Sequence, residues 1–414
     1  MVKQHMRKHI IENVIYREDI RQELKEMKQI QWQDHPTPLW LVDQMIESVG
    51  DIQNKKILVL FNLQFLEELI HKYKVPIENI KFIADVPFEG EISKEMYFVQ
   101  TKLCSKNEDW QKLLTRRATS MGIKHFDVVF SNPPYNRGID LKIMHAVSEI
   151  ADEIVLVHPS TWLIDLKGKS KLFNDTKEYF GSSIKSVTLF NGNPVFGIGL
   201  FVPCSITHID RNKDPEAPID VNYFSRKFKV NNVNDITTFG PEWETIVKPF
   251  MKKMQAYVKE HGSVWDHNVK ELIDGKHYCQ LAAIRGNVNM TSNGDPMSIT
   301  QDDFYTLVMK DSDKNKGIRQ PNLNKPGGPT PTFAFDTEME RDNFISYLKT
   351  YFVRFGMSIL KVGQHVENGE MTLIPWLDFK EEWTDEKLFE KFGVDEKTQE
   401  YIRGFLPDYY ENTK

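Results

Sequence analysis

The stretch Asp127-Val128-Val129-Phe130-Ser131-Asn132-Pro133-Pro134-Tyr135 decides how this chain is read. With Phe126 before it, the first half is a short apolar run of β-branched and aromatic residues, which predicts a buried strand. The second half leaves that strand through a polar residue, two prolines and an aromatic. The prolines fix φ and remove two N–H donors. The Asn132 side-chain oxygen and the Pro133 carbonyl then form a pair of acceptors at the strand end. A planar amino group can donate both its hydrogens to such a pair, while Tyr135 stacks on the ring that carries it. An exocyclic amine or a carboxamide fits this description. Its lone pair is delocalised and poorly nucleophilic, and two acceptors pulling on the N–H bonds draw the nitrogen toward sp³ geometry. The bland alternative is a Pro-Pro turn that merely caps a strand, with Tyr135 as packing.

Working outward, short apolar runs alternate with amphipathic segments. Ile57-Leu58-Val59-Leu60, Ile80-Lys81-Phe82-Ile83-Ala84, Ile154-Val155-Leu156-Val157 and Phe201-Val202-Pro203-Cys204-Ser205-Ile206-Thr207 read as strands, with helices over 64–73 and 141–150. This rhythm predicts an α/β fold, a Rossmann-like doubly wound parallel sheet covered on both faces. In such a sheet the strand C-termini open onto the ligand crevice. His35-Pro36-Thr37-Pro38 separates a charged, helical extension over 1–34 from this region. Beyond about 235 the pattern becomes mixed α+β, with a helix over 243–258. A Gly/Pro/Asn/Lys-rich loop over 310–332, one helix over 339–360 and an acidic helical tail follow. The expected organisation is 1–34, 35–234 and 235–414.

The chain has 414 residues, 40% hydrophobic and 27% charged, which excludes a disordered chain. No apolar run approaches the ~18 residues that span a bilayer, and no secretory signal is visible, so a cytoplasmic protein is expected. A net charge of −6 argues against a polybasic nucleic-acid binder, but not against one local basic face. Cys104, Cys204 and Cys279 form no zinc spacing, and buried reduced thiols are expected. No metal site, P-loop or nuclease constellation is apparent, and the N-terminal extension is short for a nuclease domain.

The Asn132-Pro133-Pro134-Tyr135 string after Phe126–Phe130 resembles the catalytic loop of the adenine-specific (N6) DNA methyltransferases. Thr37-Pro38 with Leu41-Val42 and Met45 is similar to that family's segment upstream of the cofactor strand. Asp85 stands where the family places the acid that binds the ribose hydroxyls. Val157-His158-Pro159-Ser160-Thr161-Trp162 resembles its next strand end. Asn193-Pro194-Val195-Phe196 resembles the segment whose aromatic packs on the extruded base. The motif order is gamma-like. Stretches around 347–355, 374–379 and 383–389 resemble tails of restriction–modification methylases.

The resemblance implies S-adenosylmethionine as cofactor, bound by Thr37, Asp85 and Asn132. It implies Asn132, Pro133, Pro134 and Tyr135 as the catalytic loop, and Tyr135 and Phe196 as base-stacking residues. It also implies a C-terminal target-recognition domain for double-stranded DNA. The candidate cationic contacts are Lys314, Lys316, Arg319 and Lys325 in the long loop, and Arg354 on the helix, seven residues before Lys361. A monomer is expected, with any restriction partner encoded separately. The chain departs from the family at the turn after Ile57–Leu60. There Phe61-Asn62-Leu63-Gln64 has no glycine, leaving Phe61 and Asn62 to line a rearranged pocket. Two other readings stay open: a glutamine-amide protein methyltransferase, and a non-catalytic DNA-binding or decoy relative. His158 is read as a strand-end histidine bonding a loop carbonyl, with a catalytic role as the alternative.

Overall fold

The computed structural model describes residues 15–16, 37–84, 88–89, 98–100, 110–135, 138–168, 170–196, 202–223, 226–282, 306–311, 331–361 and 368–406. The chain divides into two compact units, one of residues 1–163 and 170–236, the other of 164–169 and 237–414.

The first unit is built on a nine-stranded sheet: β1 (Ile57–Leu60), β2 (Ile80–Ala84), β3 (Phe98–Gln100), β4 (Phe126–Ser131), β5 (Ala151–Pro159), β6 (Ile184–Asn191), β7 (Pro203–Asp210), β8 (Ile219–Tyr223) and β9 (Arg226–Val230). The order across the sheet is β9-β8-β6-β7-β5-β4-β1-β2-β3. β1 to β5 run parallel, and so do β6 and β8. β7 lies antiparallel between β5 and β6, and β9 is an antiparallel edge. This is the expected doubly wound, Rossmann-like sheet, closed at one side by antiparallel strands that the periodicity of the sequence does not reveal.

The longer helices of this unit, with one short one, are α1 (Leu39–Val49), α2 (Leu63–Glu67), α3 (Trp110–Ser120), α4 (Ile139–Ser148) and α5 (Lys171–Phe180), and single turns such as Gly192–Phe196 add to them. α1 buries Leu41, Val42, Met45 and Ile46, one stripe at helical spacing, into a core with Ile57, Val59, Val128, Phe130 and Val155. The expected helix over 64–73 is shorter as an α-helix. α2 passes into a wider π-helical turn over Glu68–Lys72, with Tyr73 N donating to Glu68 O at 3.0 Å. Gly138 opens α4 with φ +72, and a Cβ there would lie 2.6 Å from Leu172. Within the expected helical extension, Ile15–Tyr16 is extended instead and pairs antiparallel with Phe88–Glu89. The rest of 1–34 lies outside the described residues.

At the N-terminal end of β5, Glu153 accepts from His208 Nε2 and from Lys55 Nζ, each at 2.7 Å. Burial alone would raise this carboxyl, but the two hydrogen bonds outweigh it and bring it down to about 2.

The second unit packs α6 (Lys248–His261), α7 (Glu338–Lys349), α8 (Tyr351–Leu360), α9 (Asp385–Lys391) and α10 (Glu396–Phe405) with a sheet of order β11-β10-β12. These strands are β10 (His277–Ala282), β11 (Thr306–Asp311) and β12 (Thr332–Phe335). Its core is aromatic, with Phe250, Phe333, Phe344, Phe352 and Phe355 buried together. The single helix expected over 339–360 is two helices. Thr350 breaks it with an extended backbone (ψ 151°), and its Oγ1 accepts from Val353 N. The Asp385 carboxylate takes the N–H groups of Tyr351 and Phe352 at 3.1 and 2.8 Å. Donors that a continuous helix would have used internally are thus satisfied by two side chains. Within this unit, Lys167 pairs with the buried Glu370 at 2.7 Å.

Candidate active site

The sheet order reverses at β1 and β4. From β1 the chain fills one side with β2 and β3, then returns to lay β4 on the other. Loops leaving the C-terminal ends of such neighbours enclose a crevice between them, and ligands bind there. Leu60 at the end of β1 is in register with Ser131 at the end of β4. The turn Phe61-Asn62 and the loop Asn132-Pro133-Pro134-Tyr135 therefore leave the sheet side by side.

The two segments are fastened together. Ser131 Oγ donates to Leu60 O at 3.1 Å, and the backbone N–H of Asn132 donates to Asn62 Oδ1 at 2.7 Å. Asn132 is buried, and its Nδ2 donates to Thr37 Oγ1 at 3.0 Å. That bond fixes the amide so that Oδ1 is the atom turned to Tyr135, whose hydroxyl donates to it. A carbonyl oxygen has two lone pairs, so Oδ1 keeps acceptor capacity. Thr37 is itself buried, just before α1.

The glycine-free turn finds an unusual solution. Phe61 adopts φ +69, the left-handed region that glycine favours, and Asn62 N donates back to Leu60 O at 2.9 Å. This i→i+2 bond makes a tight γ-turn, a strained conformation for a bulky residue. Phe61 is buried, at 7% exposure. The backbone takes a positive φ with a buried aromatic residue where a glycine would be the ordinary choice.

His158 is fully buried, and both ring nitrogens are engaged, by Asp140 at 3.1 Å and Thr207 at 3.0 Å. It bonds side chains rather than the expected loop carbonyl. No nitrogen is left for a substrate, which removes the catalytic alternative. Asp140 lies in the first turn of α4, so this network ties the helix after the Asn132–Tyr135 loop to β5 and β7. Cys204 and Cys279 are buried free thiols, and burial pushes each up to about 12.

Two expected site residues are placed elsewhere. Phe196 packs in the sheet core, its ring 6.4 Å from Phe190, and does not present an open face to a base. Arg354 is 0% exposed, with its guanidinium 5.5 Å from the Tyr351 ring. Every residue of α8 from Phe352 to Leu360 is buried, so the seven-residue spacing to Lys361 marks no solvated face. Asp85, Lys314, Lys316, Arg319 and Lys325 lie outside the described residues, as does Cys104. Sequence reasoning missed the part played by Ser131 and by Asp140. A hydroxyl at the strand end is the only local hint of the first, and nothing local marks the second. Among the described residues, no helix is long and apolar enough to cross a membrane, and no group of three His, Cys, Asp or Glu residues could hold a metal.

No family model matches the chain, and no curated protein matches it by sequence. Among solved structures, it is similar to a modification subunit of a putative type I restriction enzyme from Vibrio vulnificus. The identity is 13%, the match covers 51% of this chain and 52% of that one, and the TM-score is 0.35. It is also similar to the type I restriction-modification methyltransferase subunit from Streptococcus thermophilus, at 13% identity, 47% and 49% coverage and a TM-score of 0.32. The type IIG restriction endonuclease BpuSI matches at 11% identity over 91% of this chain and 62% of that one, with a TM-score of 0.40. The chain spans about half the length of the two type I subunits it matches.

Proposed function

We propose that this chain transfers a methyl group from S-adenosylmethionine to the N6 amino group of an adenine extruded from duplex DNA, within a restriction–modification setting. The observation that carries this reading is the anchored Asn132-Pro133-Pro134-Tyr135 loop at the point where the sheet order reverses. The adjacent turn supports a nucleoside-like cofactor, because Phe61 takes the positive φ that a glycine would supply at the strand end. When bound, the cofactor supplies an electrophilic methyl group on a sulfonium. Asn132 Oδ1 and the Pro133 carbonyl accept the two amino hydrogens and enrich the nitrogen lone pair for attack. Thr37 holds the Asn132 amide in the orientation this needs. Tyr135 faces the base. The residues from 235 onward are assigned to holding the duplex while the base is flipped, which costs a few kcal/mol. The cations of the 310–332 segment are assigned to phosphate.

Tritiated-methyl transfer to unmodified DNA, followed by nucleoside analysis, tests this. N6-methyladenine is expected from the wild type, and the rate should fall roughly 10²–10³-fold in Asn132→Ala, as for other preorganised polar contacts. Full activity in the variant would sink the assignment. The strained Phe61 turn favours one second reading, a DNA-binding relative that has lost the cofactor. Absence of S-adenosylmethionine binding by calorimetry, with DNA present, would establish it.

A further inference from the structure

Asn62 sits at the N-cap position of α2, where an asparagine ordinarily accepts from a first-turn N–H of its own helix. It makes no such cap. Its Oδ1 accepts instead from the N–H of Asn132, 70 residues away in sequence and 2.7 Å away in space. The left-handed Phe61 makes this possible by turning the chain sharply at the end of β1. The partner is also particular. Pro133 and Pro134 carry no N–H, so the Asn132 amide is the only backbone donor between Ser131 and Tyr135. Ahead of Tyr135, the loop that resembles a catalytic motif has one backbone N–H, and Asn62 accepts it.

We infer that Asn62 is a positioning residue for the amino-group acceptor. It fixes the backbone of Asn132 as Thr37 fixes the side chain, and thereby ties the acceptor to the turn that faces the cofactor crevice. It acts through Asn132 and does not touch the reacting atoms. The inference rests on the role proposed above for Asn132.

The test uses the full chain. In steady-state transfer from tritiated S-adenosylmethionine to unmethylated duplex DNA, Asn62→Ala should lower kcat by about 10–100-fold, the scale of a small misplacement. KM for cofactor and for DNA should change by less than about threefold, since the Asn62 oxygen is committed to the Asn132 N–H. Asn62→Asp keeps an acceptor oxygen and should recover most of the loss. Asn62→Leu, of similar size without an acceptor, should not. Wild-type kcat in Asn62→Ala overturns the inference, and so does Asn62→Leu performing as well as Asn62→Asp. If the alanine variant fails to fold, the Asp–Leu pair carries the same comparison.

Hydrogen exchange by mass spectrometry over 131–135 reads the clamp without activity, because only Ser131, Asn132 and Tyr135 have amides there. Exchange in that peptide should quicken by about tenfold or more in Asn62→Ala. Unchanged exchange overturns the clamp. A wild type that transfers no methyl group, together with a deprotected loop in Asn62→Ala, upholds the clamp and rejects the methyltransferase reading.

Discussion

Replacing Phe61 by alanine and by glycine probes the turn on which the site depends. Phe61 is 7% exposed and holds φ +69. Either substitution removes a buried aromatic ring, at about 3–5 kcal/mol for a large-to-small change. That loss is common to both variants and cancels in the comparison. Alanine keeps the Cβ and with it the cost of the left-handed backbone, about 1–3 kcal/mol for a residue held in such a region. Glycine releases that strain but gives the unfolded chain extra freedom worth about 0.4–1 kcal/mol. The difference leaves Phe61→Gly more stable than Phe61→Ala by about 1 kcal/mol. At ordinary positions the order is the reverse. Urea unfolding of the two variants, followed by circular dichroism, gives the comparison directly. An alanine variant as stable as the glycine variant would refute the γ-turn and the reading of the Phe61 backbone as a glycine substitute.

Other consequences concern charge. Glu153 is held down from its ordinary 4.5 to about 2 in the folded state, so its contribution is full above pH 4.5 and is lost as the pH falls toward 2. Thermal melts across that window should show a smaller acid-induced loss in Glu153→Gln than in the wild type. Arg354→Ala should destabilise the second unit by about 2–5 kcal/mol, as for a large buried side chain, with the salt slope of DNA binding unchanged. Alanine at Lys314, Lys316 and Arg319 together should weaken DNA binding and flatten its salt slope by up to about three charges' worth. An unchanged slope would make that segment a connector and move recognition elsewhere.

The strands of the sheet were legible because their signal is local. A strand buried on both faces is written as a short continuous apolar run, and Ile57–Leu60 and Ile154–Val157 are buried throughout. The loop chemistry was legible for the same reason, since two consecutive prolines after a strand dictate where donors are missing. Helical extents were less legible. The break at Thr350 depends on Asp385, which reaches the new helix start from 33 residues further along the chain. The conversion of the α2 segment into a π-helical turn has no counterpart in side-chain spacing.

By itself, then, the sequence determined an alternating α/β sheet with an acceptor-bearing loop at a strand end. Both follow from properties carried by adjacent residues: apolar runs, β-branching and prolines that lack N–H groups. Tertiary structure decided the rest. It set β7 antiparallel between β5 and β6, because strand order is fixed by long-range pairing rather than local pattern. It drove Phe61 into a left-handed turn, since a strand end facing β4 has to bend there whether or not a glycine is present. It buried Arg354, because helical spacing tells which residues share a face but not whether that face meets water. And it joined Asn62, Thr37 and Asn132, whose hydrogen bonds span 70 and 95 residues and exist only once the strand ends lie side by side.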